Sequence, residues 1–308
     1  MRSEILPLFE NLLNDTEPEV RSRALTKLPE IFDKLTSNQL ENEVINKLKA
    51  LVTDTSFHVR LASASVLAQL CPILERGPLL SRLLPLVQIL LRDEIIDVKI
   101  AAIKVLKSFN EKIGTHDVET DILPLMQAIT KEKQWRCRLS LTEAFPEICK
   151  GMKFDNFREN FADFMFGFVT DHYCAVRDQT IGNIDQFIQI YGFPQLSEKI
   201  TSTLQELIVN QNYLFRITAL KMLAKLYYSF DVTTFEDTLE IMVESLYKDK
   251  VPNVRLILVQ TLEELSQKIS KEFANSYIIP TLEKLSSDKD SDVSYFSNKA
   301  LLKCKNIV

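Results

Sequence analysis

Two columns of polar side chains recur through the 308 residues. The first holds Asp15, Asp54, Asp93, Glu132, Asp171, Asn210, Asp249 and Asp288. Six residues after each member stand Arg21, Arg60, Lys99, Arg138, Arg177, Arg216, Arg255 and Ser294. Regularly spaced carboxylates and guanidinium groups could form an ion-binding stripe, because each is a strong charged hydrogen-bonding group. A structural use fits the regularity better. A short acidic side chain can take up turn or helix N-terminal N–H groups, and the arginine can bond it within the repeat or in the next one. Such a ladder would fix stacking register.

Other chemistry is sparse. The histidines, His58, His116 and His172, stand singly and none is followed by Glu, so paired His-Glu metal ligands are absent. No G-x-S-x-G, H-E-x-x-H or Gly-rich phosphate loop occurs. Cys71, Cys137, Cys149, Cys174 and Cys304 are odd in number and form no C-x-x-C, which fits reduced thiols on helices better than a disulfide frame or a zinc site. The remaining carboxylates fall on helical faces, as solvated charge. The expectation is a non-enzymatic protein with no catalytic residue, metal, cofactor or small-molecule substrate.

The columns need elements to position them. Val-Arg recurs at 20–21, 59–60, 176–177 and 254–255, and the arginine spacings of 39, 117 and 78 are multiples of 39. The missing steps are Val98-Lys99, Cys137-Arg138, Phe215-Arg216 and Val293-Ser294, with no insertion or deletion. Apolar columns keep the same register. Leu28, Leu67, Leu106, Phe145, Ile184, Leu223, Leu262 and Leu301 form one. Ile31, Leu70, Phe109, Ile148, Phe187, Leu226, Leu265 and Cys304 form another, and Leu12, Leu51, Leu90, Ile129, Phe168, Leu207, Leu246 and Leu285 a third.

Each unit reads as a short first helix, a tight turn headed by the acid, and a second helix that starts near the Val-Arg pair. Prolines 7, 85, 124 and 280 suit the first turn of the first helix. Only 6 glycines agree with a helical chain. A lone hairpin cannot bury enough apolar surface to offset its ordering entropy, so the repeats must stack. The fold class is all-α, a HEAT-repeat α-solenoid of eight 39-residue repeats in a single domain, 1–308. The repeats fall near 3–39, 40–78, 79–117, 118–156, 157–195, 196–234, 235–273 and 274–308.

A net charge of −5 gives no general drive toward nucleic acid or an anionic membrane. The sequence lacks an 18-residue apolar run and a signal-peptide pattern at Met1-Arg2-Ser3-Glu4. The expected location is the cytoplasm, and also the nucleus. Repeat one opens without a polar capping helix before Leu6, Leu8 and Phe9, as in a fragment or a short scaffold whose first face another molecule covers.

Three residues before the basic column lies the turn tip, where polar residues are the ordinary choice. Here Phe57, Ile95, Ile96, Trp135, Tyr173, Tyr213, Leu214 and Val251 form an apolar, partly aromatic series. Such a series either caps each repeat's core or makes an exposed ridge that docks a partner. Aromatic residues beside an arginine, as at Trp135-Arg136, are common interface anchors.

Several segments carry a family resemblance. They are 51–54 with His58-Val59-Arg60, Cys71-Pro72-Ile73-Leu74, Trp135-Arg136-Cys137-Arg138-Leu139, 169–172 with 175–177, Asn212-Tyr213-Leu214 with Arg216, Pro252-Asn253-Val254-Arg255, and Asp292-Val293 with Tyr295-Phe296. Together they resemble the C-terminal eight repeats of the scaffolding (A, 65-kilodalton regulatory) subunit of protein phosphatase 2A, over essentially the whole chain. The resemblance implies a scaffold that binds a Ser/Thr phosphatase catalytic subunit through intra-repeat turns, with regulatory B-type subunits as further partners. Carried over, the catalytic-subunit contacts are Trp135, Arg136, Tyr173, Cys174, Val176, Arg177, Tyr213, Leu214, Val251, Pro252, Asp292 and Tyr295. Phe57, Ile95 and Ile96 would extend the ridge. Gln134, Cys174 and Ser294 depart from the family pattern. An importin-like cargo adaptor is the alternative, and the strict register argues against it. A HEAT-like hydroxylase or DNA glycosylase lacks the His-Glu pairs or the positive charge it would need.

Overall fold

The computed structural model describes residues 2–109, 112–266 and 268–305. Every regular element among them is helical. The second helices of the eight repeats are Pro18–Lys27, Phe57–Leu70, Ile96–Leu106, Trp135–Ile148, Cys174–Tyr191, Tyr213–Leu226, Pro252–Leu265 and Ser291–Lys305. Each begins at the residue read from sequence as the turn tip, three residues ahead of the basic column. The turn is therefore tighter than the sequence suggested, and the tip residue is already helical.

The first helices are longer than expected. In repeats two, three and four they cover 37–51, 76–91 and 115–130, and in repeat eight 271–285. Each contains a π-helical turn, at Leu40–Val44, Leu79–Leu83, Val118–Ile122 and Ala274–Ile278. Pro85, Pro124 and Pro280 follow these turns by two positions, inside the helix rather than at its start. A proline lacks an N–H and clashes with the carbonyl four residues back. The wider π turn displaces that carbonyl and relieves the clash. The π turn does not require the proline, since repeats two and five carry Asn46 and Asp163 at that position and still have one, at Leu40–Val44 and Arg158–Ala162. The first helices of repeats six and seven, Phe193–Ile208 and Val232–Leu246, run without it.

The chain divides into two compact units, Met1–Met165 and Phe166–Val308. Within each, successive second helices pack on one another and on the first helices of their own hairpins. The three apolar columns line this core. Among their described members only Leu12 is exposed, at 45%, on the outer side of repeat one. In the second unit Gly192 is the whole connection between Cys174–Tyr191 and the next helix, Phe193–Ile208. Its φ of 87° lies in the left-handed region, which an L side chain disfavours.

The polar columns tie the repeats together. Arg21 donates from Nε and Nη2 to Asp54 of the next repeat, both at 2.8 Å. Arg60 does the same to Asp93 at 2.6 and 3.0 Å, and Lys99 reaches Glu132 at 2.8 Å. In the second unit Arg216 holds Asp249 at 2.6 and 2.8 Å, and Arg255 holds Asp288 with two bonds of 2.7 Å. The third guanidinium nitrogen faces its own turn. Nη1 of Arg21, Arg60, Arg138, Arg177, Arg216 and Arg255 donates to the carbonyl six residues back at 2.5–2.8 Å. The acid also closes its own turn, as Asp15, Asp54, Asp93, Asp171, Asp249 and Asp288 each accept the N–H two residues on at 2.8–2.9 Å.

Burial pushes the Asp54 and Asp93 carboxyls upward, but the guanidinium and turn N–H bonds outweigh it and leave both below the usual range. The Arg255 bond holds Asp288 low against burial. A depressed carboxylate stabilises fully above its unfolded value, near 4, and that contribution is lost as pH falls through the lower folded value. Urea unfolding should therefore show stability falling below about pH 4, and a flat profile down to about pH 2 would contradict this assignment. Replacing Asp93 by Ala removes both Arg60 bonds and the turn bond to Ile95. It should cost about 2 kcal/mol, read as a lower urea midpoint at unchanged slope.

Candidate functional site

The first residue of every second helix sits at the same place on its hairpin, so these residues form a row along the turn edge of each unit. Packed helices lie about 8–10 Å apart, which sets the spacing of the row. In the first unit it contains Phe57, Ile96 and Trp135. Phe57 is 37% exposed and its ring centroid lies 3.9 Å from that of His58. Ile95, Ile96 and Trp135 are half-buried. Arg136 is exposed and reaches back one repeat, with Nη2 3.3 Å from Asp97 Oδ1. Phe57, Ile95, Ile96 and Trp135 are thus partly covered and partly open to solvent.

In the second unit Tyr173 is 46% exposed and Cys174 is exposed, with Sγ 3.2 Å from Asp178 Oδ2. Lys221 Nζ lies 2.9 Å from Asp178 Oδ1 and 3.5 Å from the Cys174 sulfur. Tyr213, Leu214 and Val251 are half-buried, and Pro252 and Asp292 are exposed. Tyr295 is 65% exposed and stands edge-on to Phe296.

Two expected contacts need correction. Val176 is fully buried and Arg177 is 3% exposed. They occupy the core column and the ladder column, both of which point inward, so neither side chain is open to a partner. The other cysteines are also internal: Cys71, Cys137, Cys149 and Cys304 are buried, and burial pushes the Cys71 thiol up to about 12.

Arg177 is peculiar in another way. The residue 33 positions on is Asn210, whose Oδ1 accepts the Asn212 N–H at 2.9 Å. Arg177 Nε turns to the Thr218 hydroxyl at 2.9 Å, and its guanidinium lies 5.9 Å from the Phe215 ring centroid. Hence this rung joins its neighbours without a carboxylate. Among the described residues no group of three His, Cys, Asp or Glu side chains could hold a metal ion, and no helix is long and apolar enough to cross a membrane. One feature escaped the sequence reading, a lysine-lined cleft between the turns of repeats seven and eight. Its signal was Lys250 and Lys289 in one column of the repeat.

Comparison with known proteins places this architecture. The PIK3R4-like middle-domain model matches residues 67–304, over three quarters of the chain. The chain belongs to the PIK3R4-like middle-domain family. A second model, the PPP2R1A-like HEAT repeat, matches residues 1–74 of this family member. The A-type regulatory subunit of protein phosphatase PP2A from Saccharomyces cerevisiae is 29% identical over 130 residues, which cover 39% of this chain and 20% of that protein. Serine/threonine-protein phosphatase 4 regulatory subunit 4 of Homo sapiens is 30% identical over 99 residues, covering 32% of this chain and 11% of the relative. The matches thus span a fifth or less of those relatives' lengths. Among solved structures, Kap95p, described with RanGDP, aligns with a TM-score of 0.76 at 14% identity over 99% of this chain and 40% of its own. Kap121p bound to Nup53p aligns with a TM-score of 0.72 at 19% identity, over 99% and 34%. At such identities the likeness is one of fold. The chain is a HEAT-repeat protein similar to the A-type regulatory subunit of phosphatase 2A, with an all-α solenoid fold shared by karyopherins.

The Arg177 rung yields a stability prediction. Asn210→Asp restores a carboxylate at the position that Asp249 and Asp288 hold in the following rungs. It should raise stability by about 1 kcal/mol through a charge-assisted bond to Arg177. A urea midpoint at or below wild type would show that Thr218 and Phe215 already satisfy the guanidinium.

Proposed function

We propose that this chain is a non-catalytic scaffold whose turn edges hold a Ser/Thr protein phosphatase catalytic subunit of the 2A type. The observation that carries the reading is the row of partly exposed apolar residues at the starts of successive second helices. A short turn has no structural need for Trp, Tyr or Phe, and such anchors supply most of the energy of protein interfaces. The choice of a phosphatase is supported by the two relatives, both phosphatase regulatory subunits by name, and by the match of residues 1–74.

Trp135 and Arg136 are the proposed anchors of the first unit. Tyr173, Cys174, Tyr213, Leu214, Val251, Pro252, Asp292 and Tyr295 are those of the second. Phe57, Ile95 and Ile96 are left for a second partner, a B-type regulatory subunit. The scaffold contributes positioning, and the chemistry belongs to the docked enzyme. The PIK3R4-like match covers more of the chain than the phosphatase matches do. It favours a second reading, in which the same edges hold a different partner.

Calorimetry with a purified phosphatase 2A catalytic subunit tests the first reading. Wild type should bind, and Trp135→Ala and Tyr173→Ala should each weaken binding by about 2 kcal/mol, roughly thirtyfold, with helical content retained. Absent binding by wild type removes the phosphatase as occupant. Wild-type affinity in both variants removes the turn edge as its site.

A further inference from the structure

The turns of repeats seven and eight enclose a cleft of about 780 Å³ outside the apolar row. Lys248, Lys250, Lys284 and Lys289 line it. All four are exposed. None of the four is in an ion pair among the described residues, while most of the protein's other inter-repeat cations are matched with acids. The two carboxylates at the cleft, Asp249 and Asp288, are already engaged in two-point bonds, with Arg216 and Arg255 respectively. The free charge of the cleft is therefore strongly positive in a chain whose net charge is −5.

One wall is organised. The Tyr247 ring has Lys248 Nζ 4.8 Å and Lys284 Nζ 5.3 Å from its centroid, within the range where a cation is attracted to an aromatic face. This places two ammonium groups about a single half-buried ring. Lys250 and Lys289 hold equivalent positions on adjacent hairpins, and so their backbones lie about one helix spacing apart, 8–10 Å.

We propose that this cleft binds an acidic segment of a partner protein, an extended stretch rich in Asp and Glu. The charge complementarity calls for several anionic groups. The backbone separation of Lys250 and Lys289 matches about three residues of extended chain at 3.3 Å each. The half-buried Tyr247 ring offers apolar surface to the peptide between its carboxylates. The site does not depend on which enzyme the apolar row holds, and it commits only to the chemistry of the segment.

The test uses the full chain and a fluorescein-labelled peptide of eight glutamates, read by fluorescence anisotropy. Wild type should bind at about 50 mM salt and lose affinity steeply toward about 300 mM. Lys250→Glu with Lys289→Glu should weaken binding about tenfold or more, whereas Lys104→Glu with Lys107→Glu in the first unit should leave it within about twofold. Three results overturn the proposal: no binding by wild type, equal loss in both double variants, or binding of inositol hexakisphosphate or an oligonucleotide at this site with none of the peptide. The assay contains no phosphatase, so its outcome is separate from that of the docking experiment.

Discussion

A guanidinium held between two turns is the constraint on which the architecture rests. Arg60 shows the arrangement in full. One nitrogen donates to the Asp54 carbonyl of its own turn, and two others grip the Asp93 carboxylate of the next. Asp93 in turn closes its own turn through the Ile95 N–H. Each rung therefore fixes the geometry of two turns and the distance between them. Arginine suits this place because its planar fork bonds in three directions at once, whereas a lysine makes one point contact. Lys99 does reach Glu132, but through a single bond. A residue inserted between acid and base would break the closure of that turn, which accounts physically for the constant six-residue spacing of the two columns.

The rungs also decide what the edge can present. Because the turn's polar groups are satisfied from within, by the acid on one side and the guanidinium on the other, no side chain at the tip is needed to close it. The residue that opens the second helix is then not needed to close the turn. It varies as Pro, Phe, Ile, Trp, Cys, Tyr, Pro and Ser, while the core column at Leu28, Leu67, Leu106 and their equivalents stays apolar throughout. Variation at one geometric position against constancy at its neighbours is what a surface specialised by repeat would look like.

Much of this was legible in sequence, and the reasons for success and failure are physical. The period, the apolar columns and the helical class follow from side-chain type and spacing, which burial enforces directly. Helix limits did not follow. The prolines at 85, 124 and 280 read as first-turn residues, but each stands inside a longer helix behind a π turn, which also occurs before Asn46 and Asp163 and so leaves no mark in residue type. Val176 and Arg177 read as surface residues only through the family resemblance. Their columns already said otherwise, since Val59 and Arg60 in the same register belong to the core and the ladder. The basic cleft was missed because its four lysines come from two hairpins, and adjacency between hairpins at the turn is a property of stacking, not of any local motif.

Asn210 shows how far a repeat can depart from its rule without losing its place. The residue is a carboxylate analogue without the charge, and it still closes its own turn through the Asn212 N–H. What it forgoes is the inter-repeat pairing, and Arg177 compensates with a hydroxyl and an aromatic ring. A buried guanidinium keeps its hydrogen bonds there but has no opposing charge, and an ion so placed costs more to bury than a paired one. The turn closure and the inter-repeat clamp are thus separable functions of one side chain. Closure is kept in every described turn whose acid column is Asp or Asn, and the clamp is the part that changes. The polar part of the contact between neighbouring repeats is therefore tuned rung by rung, by charge, while the Asp and Asn turns keep one form of closure.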